Sequence, residues 1–408
     1  MQKGSETVLP TLTDLLGKLE SGDRVFVRGD LNVPLQNGSI QDTNRLEAVM
    51  PTLHALIQAG AIITLATHLG RPRGIDPDLS TRPIADFLTD QLSVPVIHVE
   101  EFPPGDQYRD ALLKQPPGSI LLLENLRYDP REKTDDPEFA RLLMEGNQYY
   151  VNDAFGCCHR AHASVSAITR FKPSFCGSLI EKELAALEEI RDRAERPFWI
   201  ISGGAKVSDK LGVLGKLAPL LDGVVCTGGL ANTLLHGNGI DVGSSRIETD
   251  SLGEVQQLLG GDVEVVLPID FVAGDAAFEP TETVSCNAGD DVPDHLSFFD
   301  IGPRSVELVC EKLKTAKTVF WNGPAGVFET PEYSAGTREI ARYLALQEFR
   351  VVIGGGDSAA AVRQMGLAAN FHHVSTGGGA ALEFLEGKLL PGLEALSLNP
   401  TGDTEQCG

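Results

Sequence analysis

From Arg24 onward the chain alternates short apolar runs with longer amphipathic stretches. The runs Arg24–Pro34 (R-V-F-V-R-G-D-L-N-V-P), Ala61–Pro72 (A-I-I-T-L-A-T-H-L-G-R-P), Ile120–Arg127 (I-L-L-L-E-N-L-R) and Tyr149–His162 (Y-Y-V-N-D-A-F-G-C-C-H-R-A-H) each begin apolar and stop in a polar cluster. Strand-length runs separated by helix-length amphipathic segments predict a parallel sheet with crossover helices. Glu181–Ala194 breaks this rhythm, with Leu184, Leu187 and Ile190 on a narrow apolar face and Glu189 and Arg193 spaced as an i,i+4 pair. It reads either as a helix joining two domains or as a surface helix of the first; a new set of strand patterns directly after it favours the join.

That second set is more uniform. Trp199–Lys210 (W-I-I-S-G-G-A-K-V-S-D-K), Val224–Leu235, Thr318–Glu329 (T-V-F-W-N-G-P-A-G-V-F-E), Val351–Val362 (V-V-I-G-G-G-D-S-A-A-A-V) and His373–Leu385 (H-V-S-T-G-G-G-A-A-L-E-F-L) all run from strand into glycine. Leu267–Ala273 predicts a further strand, and Glu279–Pro293 a polar excursion at the rim. The tail after Leu396 is polar and predicts disorder at its end. The expected fold class is α/β, with two doubly wound, Rossmann-like parallel-sheet domains joined by a hinge helix. They span 1–180 and 181–390, the second opening with the hinge helix 181–194, and the tail 391–408 is expected to pack back on the first.

Composition narrows the function. Lys plus Arg is 34 against 57 Asp plus Glu, a formal charge of −23 over 408 residues. Such a chain is a poor partner for nucleic acid. No apolar run has the roughly 18–20 residues that span a bilayer, and the start M-Q-K-G-S-E-T lacks a signal-peptide core. Seven cysteines without C-x-x-C spacing fit reduced thiols. The expectation is a cytoplasmic protein.

In open α/β sheets ligands bind beyond the carboxyl ends of the strands, so the polar clusters of the first half should converge. They bring together Asp30, Asn32, His68, Arg71, Arg127, His159, Arg160 and His162, with Arg45 at the start of the following helix pattern. A cationic crevice on an acidic protein points to a small phosphorylated or carboxylated substrate. His159, Arg160 and His162 read as an anion clamp; Cys157-Cys158-His159 matches no zinc spacing. His68 is either a buried histidine or a substrate contact, and its strand-end setting favours contact.

In the second half, Gly203-Gly204 and the lysines Lys206 and Lys210 offer backbone N–H groups, a helix start and two ammonium groups to phosphate. Five strand-to-glycine junctions suit a nucleotide-sized pocket. The Walker A pattern, the dinucleotide G-x-G-x-x-G and the protein-kinase signatures are all missing, so the pocket is of another kind. Asp357 is placed to hold Mg²⁺ on nucleotide phosphates, to cap its helix, or both. Glu329 could accept ribose hydroxyls.

The motifs V-R-G-D-L-N-V-P, T-H-L-G-R-P, L-L-L-E-N-L-R, V-N-D-A-F-G-C-C-H-R-A-H-A-S, E-K-E-L, G-G-A-K-V-S-D-K, W-N-G-P-A-G-V-F-E, G-G-G-D-S-A and V-S-T-G-G-G-A, in this order from about Arg24 to Leu396, resemble the phosphoglycerate kinase family. The resemblance implies an acidic three-carbon substrate on the N-terminal domain and Mg-nucleotide on the C-terminal one. Asp30, Asn32, Arg45, His68, Gly70, Arg71, Arg127, His159 and Arg160 would bind 3-phosphoglycerate or 1,3-bisphosphoglycerate. Gly204, Ala205, Lys206 and Lys210, with Gly228 and Gly229, would meet ADP or ATP. So would Asn322, Pro324, Gly326, Val327 and Glu329, together with Gly356, Asp357 and Ser358, and Asp357 would take Mg²⁺. Arg45, Lys206, Gly378 and Gly379 would face the phosphoryl group in transfer.

The implied reaction is reversible phosphoryl transfer between 1,3-bisphosphoglycerate and Mg-ADP, of the kind used in glycolysis, gluconeogenesis or carbon fixation. It would be carried out by a hinge-bending monomer. Gly29, Leu31 and Ser358 depart from the usual Val, Phe and Thr, and the stretch before Thr11 lies outside the resemblance. Competing readings are a dinucleotide dehydrogenase, disfavoured by the missing fingerprint, and a non-catalytic anion-binding or scaffold protein retaining the fold.

Overall fold

The computed structural model describes residues 9–258, 260, 263–275 and 284–398. The chain divides into two compact units, the first running to Leu184 and taking back the segment from Leu389, the second running from Ala185 to Lys388. The division falls inside a helix spanning Ser178–Asp192. This helix begins three residues before the expected 181 because Thr52 Oγ1 accepts from the Ser178 N–H (2.9 Å) and the Asp153 carboxylate from the Leu179 N–H (2.9 Å). First-turn amides otherwise have no partner within a helix. Leu187 and Ile190 are fully buried as expected. Glu189 pairs with Arg350 at 2.8 Å and not with Arg193.

In the first unit the strands are β1 (Arg24–Gly29), the hairpin β2 (Leu35–Gln36) and β3 (Ser39–Ile40), β4 (Ile62–Ala66), β5 (Val96–Val99), β6 (Ile120–Leu123), β7 (Tyr149–Asp153) and β8 (Ser174–Cys176). Six of them form a parallel sheet in the order β5-β6-β4-β1-β7-β8. The four runs predicted from the apolar pattern are its middle strands. Central strands are covered on both faces and so read as unbroken apolar runs; all five residues of β4 are buried. The edge strands β5 and β8 are short and mixed in composition, and the pattern misses them. Val49, Leu53 and Leu56 of the helix Asn44–Gln58 and Ile84 and Leu88 of the helix Arg82–Leu92 join the core of this unit.

The second unit contains β9 (Phe198–Ser202), β10 (Gly223–Cys226), β11 (Glu264–Val266), β12 (Asp270–Asp275), β13 (Val284–Asn287), β14 (Leu296–Ile301), β15 (Thr318–Asn322), β16 (Arg350–Gly354) and β17 (His373–Val374). Its parallel sheet has the order β11-β10-β9-β15-β16-β17. The chain moves outward from β9 in one direction, then returns to β15 on its other side, leaving a switch point between the two. Departing from the expectation, a second sheet with the order β13-β12-β14 is antiparallel. The strand expected from Leu267 starts at Asp270, because Pro268 lacks the N–H a ladder needs. Part of the predicted rim excursion pairs as β13, and its portion at 276–283 lies outside the described residues.

The helix Pro391–Leu398 belongs to the first unit, where Gly392 N–H donates to the Cys158 carbonyl at 2.9 Å. The end of the tail at 399–408 and the start at 1–8 lie outside the described residues. Among the described residues no helix is long and apolar enough to cross a membrane.

Candidate active site

Four neighbouring strand ends build the first cluster. Beyond β1 lie Asp30 and Asn32, beyond β4 His68, Gly70 and Arg71, beyond β6 Arg127, and beyond β7 His159 and Arg160. Arg45, in the first turn of its helix, places Nη1 3.0 Å from both oxygens of Asp30. Asn32 Oδ1 accepts from the Gly70 N–H at 2.9 Å, and Arg127 Nη1 donates to the Gly70 carbonyl. Gly70 has φ +55°, the left-handed region that favours glycine. Fully buried Asn125 accepts from the N–H groups of Leu69 and Arg127 (3.1 Å each) and donates to the Leu69 carbonyl (2.8 Å). The loops carrying His68 and Arg127 are thereby held as one piece.

Beneath them lies a charge that the sequence reading passed over. Arg28 is fully buried within β1. Its Nε donates to Ser164 Oγ (2.9 Å) and its Nη2 to His68 Nδ1 (3.0 Å), with Cys157 Sγ 3.6 Å away. Ser164 in turn donates to buried Glu132, from Oγ at 2.7 Å and from N–H at 3.0 Å, so the guanidinium and its counter-charge share one serine. The available signal was an arginine near the end of an otherwise apolar strand; in a strand covered on both faces such a charge must find buried partners.

His162, expected in the clamp, lies 3.7 Å from Glu132. Burial, then the nearby Arg28 and Arg127, push its pKa down to about 4. It is therefore a neutral, inward residue near pH 7, while Arg160 is exposed with its Nε 2.9 Å from His159 Nε2. Arg71 is exposed beside Gly70. Asp30, His68 and Cys157 bring potential metal donors within 4.8 Å of one another. Two of these groups are already engaged, Asp30 by Arg45 and His68 by Arg28, and the guanidinium charges oppose a cation there.

The second cluster forms at the ends of β10, β9, β15, β16 and β17, which are consecutive in their sheet. Two adjoining cavities open there. One, of about 580 Å³, is lined by Lys206, Lys210, Asn322, Gly356, Ser358, Gly378 and Gly379. The other, of about 470 Å³, is lined by Gly228, Gly229, Pro324, Gly326, Val327 and Glu329. Gly204, Ala205 and Asp357 line both. Ligands favour the switch point of such a sheet, and Gly204 and Pro324 follow the two strands that flank it.

Three details differ from the sequence reading. The N–H groups of Gly203 and Gly204 are donated to the carbonyls of Asn322 (2.9 Å) and Pro324 (3.0 Å), and that of Gly229 to the Gly204 carbonyl (2.8 Å), so these glycines pack strand-end turns together and do not leave amides free for anions. The helix after Lys206 begins only at Ser208, whose N–H donates to Glu248 at 3.0 Å. Lys206 thus precedes the helix and is exposed, whereas Lys210 within it is half-buried, with burial holding its pKa below the usual lysine range. Ser358 is fully buried and accepts from the Gly323 N–H at 2.6 Å, so it supports the glycine turn from behind.

The sequence reading also missed one wall of the 470 Å³ cavity, made by Ser297, Phe298 and Phe299 of β14 with Asn232, Ser244 and Arg246. Only the antiparallel sheet brings β14 there. Phe298 is fixed by stacking on Phe271 with ring centroids 4.0 Å apart. Asp357 is exposed in the first turn of the helix Gly356–Gln364. Asp209 lines the same cavity, and one or two carboxylates beside a cleft bearing lysines are the donors Mg²⁺ takes when it rides on phosphates, so the residues fit that ion.

Two doubly wound α/β units, one gathering arginines and the other lysines and glycines at strand carboxyl ends, define a phosphotransferase of the two-domain α/β class. The model of the phosphoglycerate kinase family matches residues 16–388. The phosphoglycerate kinase of Herpetosiphon aurantiacus is 44% identical over 383 residues, covering 92% of this chain and 97% of its own. That of Thermus thermophilus is 44% identical over 392 residues, covering 95% and 99%. The solved structure of phosphoglycerate kinase from Coxiella burnetii superposes with a TM-score of 0.81 at 33% identity, covering 94% of this chain and 99% of that one. The chain belongs to the phosphoglycerate kinase family. It is an enzyme, and nothing in these similarities favours a non-catalytic member that keeps only the fold.

Proposed function

We propose that this enzyme transfers a phosphoryl group reversibly between the carboxyl oxygen of a phosphoglycerate and Mg-ADP, interconverting 1,3-bisphosphoglycerate and ADP with 3-phosphoglycerate and ATP. The observation that carries the reading is the pair of adjoining cavities in the second unit. One, lined by lysines and glycines, is suited to phosphates; the other, walled by Phe298, Phe299 and Val327 with Glu329, is suited to a nucleoside. The arginine-rich cluster of the first unit, Asp30, Asn32, Arg45, His68, Gly70, Arg71, Arg127, His159 and Arg160, supplies the complementary site for a small acid.

Such a transfer needs alignment and charge neutralisation more than covalent help. Arg45 and Lys206 are the cations assigned to the moving group. To take that role Arg45 would exchange its contacts with Asp30 for phosphoryl oxygens. Mg²⁺ held by Asp357 would neutralise charge on the nucleotide phosphates. The Gly378-Gly379 segment closes the phosphate side of the cleft. Water would compete for the phosphoryl group, so each substrate is proposed to load on its own unit, with bending near the helix Ser178–Asp192 assembling a dry site. The enzyme is proposed to act as a cytoplasmic monomer.

The test is a coupled assay of Mg-ATP-dependent phosphorylation of 3-phosphoglycerate. Turnover is expected with wild type, with Asp357→Asn demanding much more Mg²⁺. A folded protein that binds both ligands without turnover would overturn the proposal.

A further inference from the structure

We infer that Arg28 is a positioning residue that holds His68 as the neutral imidazole protonated at Nε2, so that His68 meets an anion as a hydrogen-bond donor and not as a cation. The functional consequence rests on reading the first-unit cluster as the acid site; the tautomer follows from the geometry alone. A guanidinium has five N–H donors and no acceptor, and it keeps its proton in proteins. With Arg28 Nη2 3.0 Å from His68 Nδ1, that ring nitrogen must supply the lone pair. The single proton of the neutral ring then sits on Nε2. A doubly protonated ring would set two donors and two positive charges against each other at hydrogen-bond distance.

Arg28 cannot easily move to relieve such a clash. It is fully buried, its Nε is bonded to Ser164 (2.9 Å), its Nη1 donates to the Gly29 carbonyl, and Ser164 is held by Glu132. The charged and titratable groups facing His68 reinforce the argument. Arg28, Arg127 and Arg45 stand on the cationic side and His162 is neutral near pH 7, with Asp30 and Cys157 opposite. Asp30 is already paired with Arg45, and burial pushes the Cys157 thiol up to about 11, so near pH 7 it is uncharged. Burial first, and then Arg28, hold His68 well below 6.5. An ordinary histidine, with a pKa of about 6.5, would change an anion site's charge across the physiological range. This one is built not to.

Nitrogen-15 histidine-labelled protein, with His68 assigned by its loss in His68→Gln, tests the proposal through long-range proton–nitrogen correlations. The ligand-free enzyme is expected to show a bare Nδ1 and a protonated Nε2 for His68, with no titration in the ordinary histidine range. A protonated Nδ1, or titration near the ordinary value of about 6.5, overturns the inference. Arg28→Lys should retain the tautomer. The double variant Arg28→Met/Glu132→Gln, which removes both buried charges so that the fold is not left with an unpaired one, should mix the tautomers and raise the His68 pKa. It should also raise KM for 3-phosphoglycerate about tenfold, from loss of one hydrogen bond to a charged group; an unchanged His68 spectrum in the double variant refutes the role of Arg28. Addition of 3-phosphoglycerate should shift the Nε2–H signal of wild type. If the ligand-free tautomer is as expected and the ligand leaves that signal unmoved, the positioning stands and the acid-site reading of His68 falls.

Discussion

Asp153 ends β7 with no exposed surface, and burial pushes its carboxyl up to about 7 although backbone N–H groups bond to it. A carboxyl whose folded pKa is raised binds a proton in the native state that the unfolded chain, titrating near 3.8, has released. Its contribution to stability is therefore present below pH about 4 and lost as pH rises towards 7. Asp153→Asn keeps an acceptor for the Leu179 N–H and cannot ionise. Urea unfolding should show the variant and wild type equal near pH 4, with the variant gaining on the order of a few kcal/mol by pH 8; parallel stability curves would refute this. Exposed Lys206, at the lip of the phosphate-side cleft, is the cation whose loss should be felt in the chemical step. Lys206→Ala is expected to lower kcat at least about 100-fold with the fold intact, the usual cost of a donor lost at the transition state. A drop of less than about 5-fold would remove it from that role. Arg127→Ala should mainly raise KM for the acid, because this guanidinium is proposed to bind the substrate alike in ground and transition states and it also steadies the Gly70 loop. A collapsed kcat at unchanged KM would contradict that.

At the scale of elements, the glycine junctions were legible in sequence, but their purpose was only half readable. A Cβ on Gly203 would lie 2.2 Å from the Pro324 carbonyl oxygen, and one on Gly228 would lie 2.7 Å from that of Gly204. Each glycine lets one strand-end turn rest on the next, so the ends of β10, β9 and β15 form one surface. Gly203→Ala should therefore force β9 and β15 apart, at a cost of roughly 1–3 kcal/mol, and raise KM for the nucleotide. Thermal melts and kinetics unaffected by the added methyl would argue against this packing role. The same distinction explains Ser358, which stands one position past Asp357 in the motif but supports Gly323 from within. Ser358 also borders the 580 Å³ cavity, and the motif does not show that its hydroxyl is already engaged by the turn.

At the scale of the molecule, the helix Ser178–Asp192 carries the chain from one unit to the next. Within the first unit Glu181 accepts from the Leu12 N–H at 2.8 Å, and within the second Arg191 lies over the Phe384 ring at 4.3 Å. Small-angle scattering should show a smaller radius of gyration with 3-phosphoglycerate and Mg-nucleotide together than with either alone. An unchanged radius would refute the proposed closure.

The sequence by itself determined the two parallel sheets, since strands covered on both faces must be apolar along their length, and it determined the residue types offered at their carboxyl ends. It also carried the ordered motifs of the family. The tertiary structure alone decided which of those groups remain available. It turned His162 towards Glu132, engaged the Gly203 and Gly204 amides with neighbouring carbonyls, brought Phe298 and Phe299 from β14 to a cavity wall, and seated Arg28 beneath His68. Each of these depends on contacts between segments distant along the chain, and such contacts leave no local pattern of hydrophobic and polar positions from which to read them.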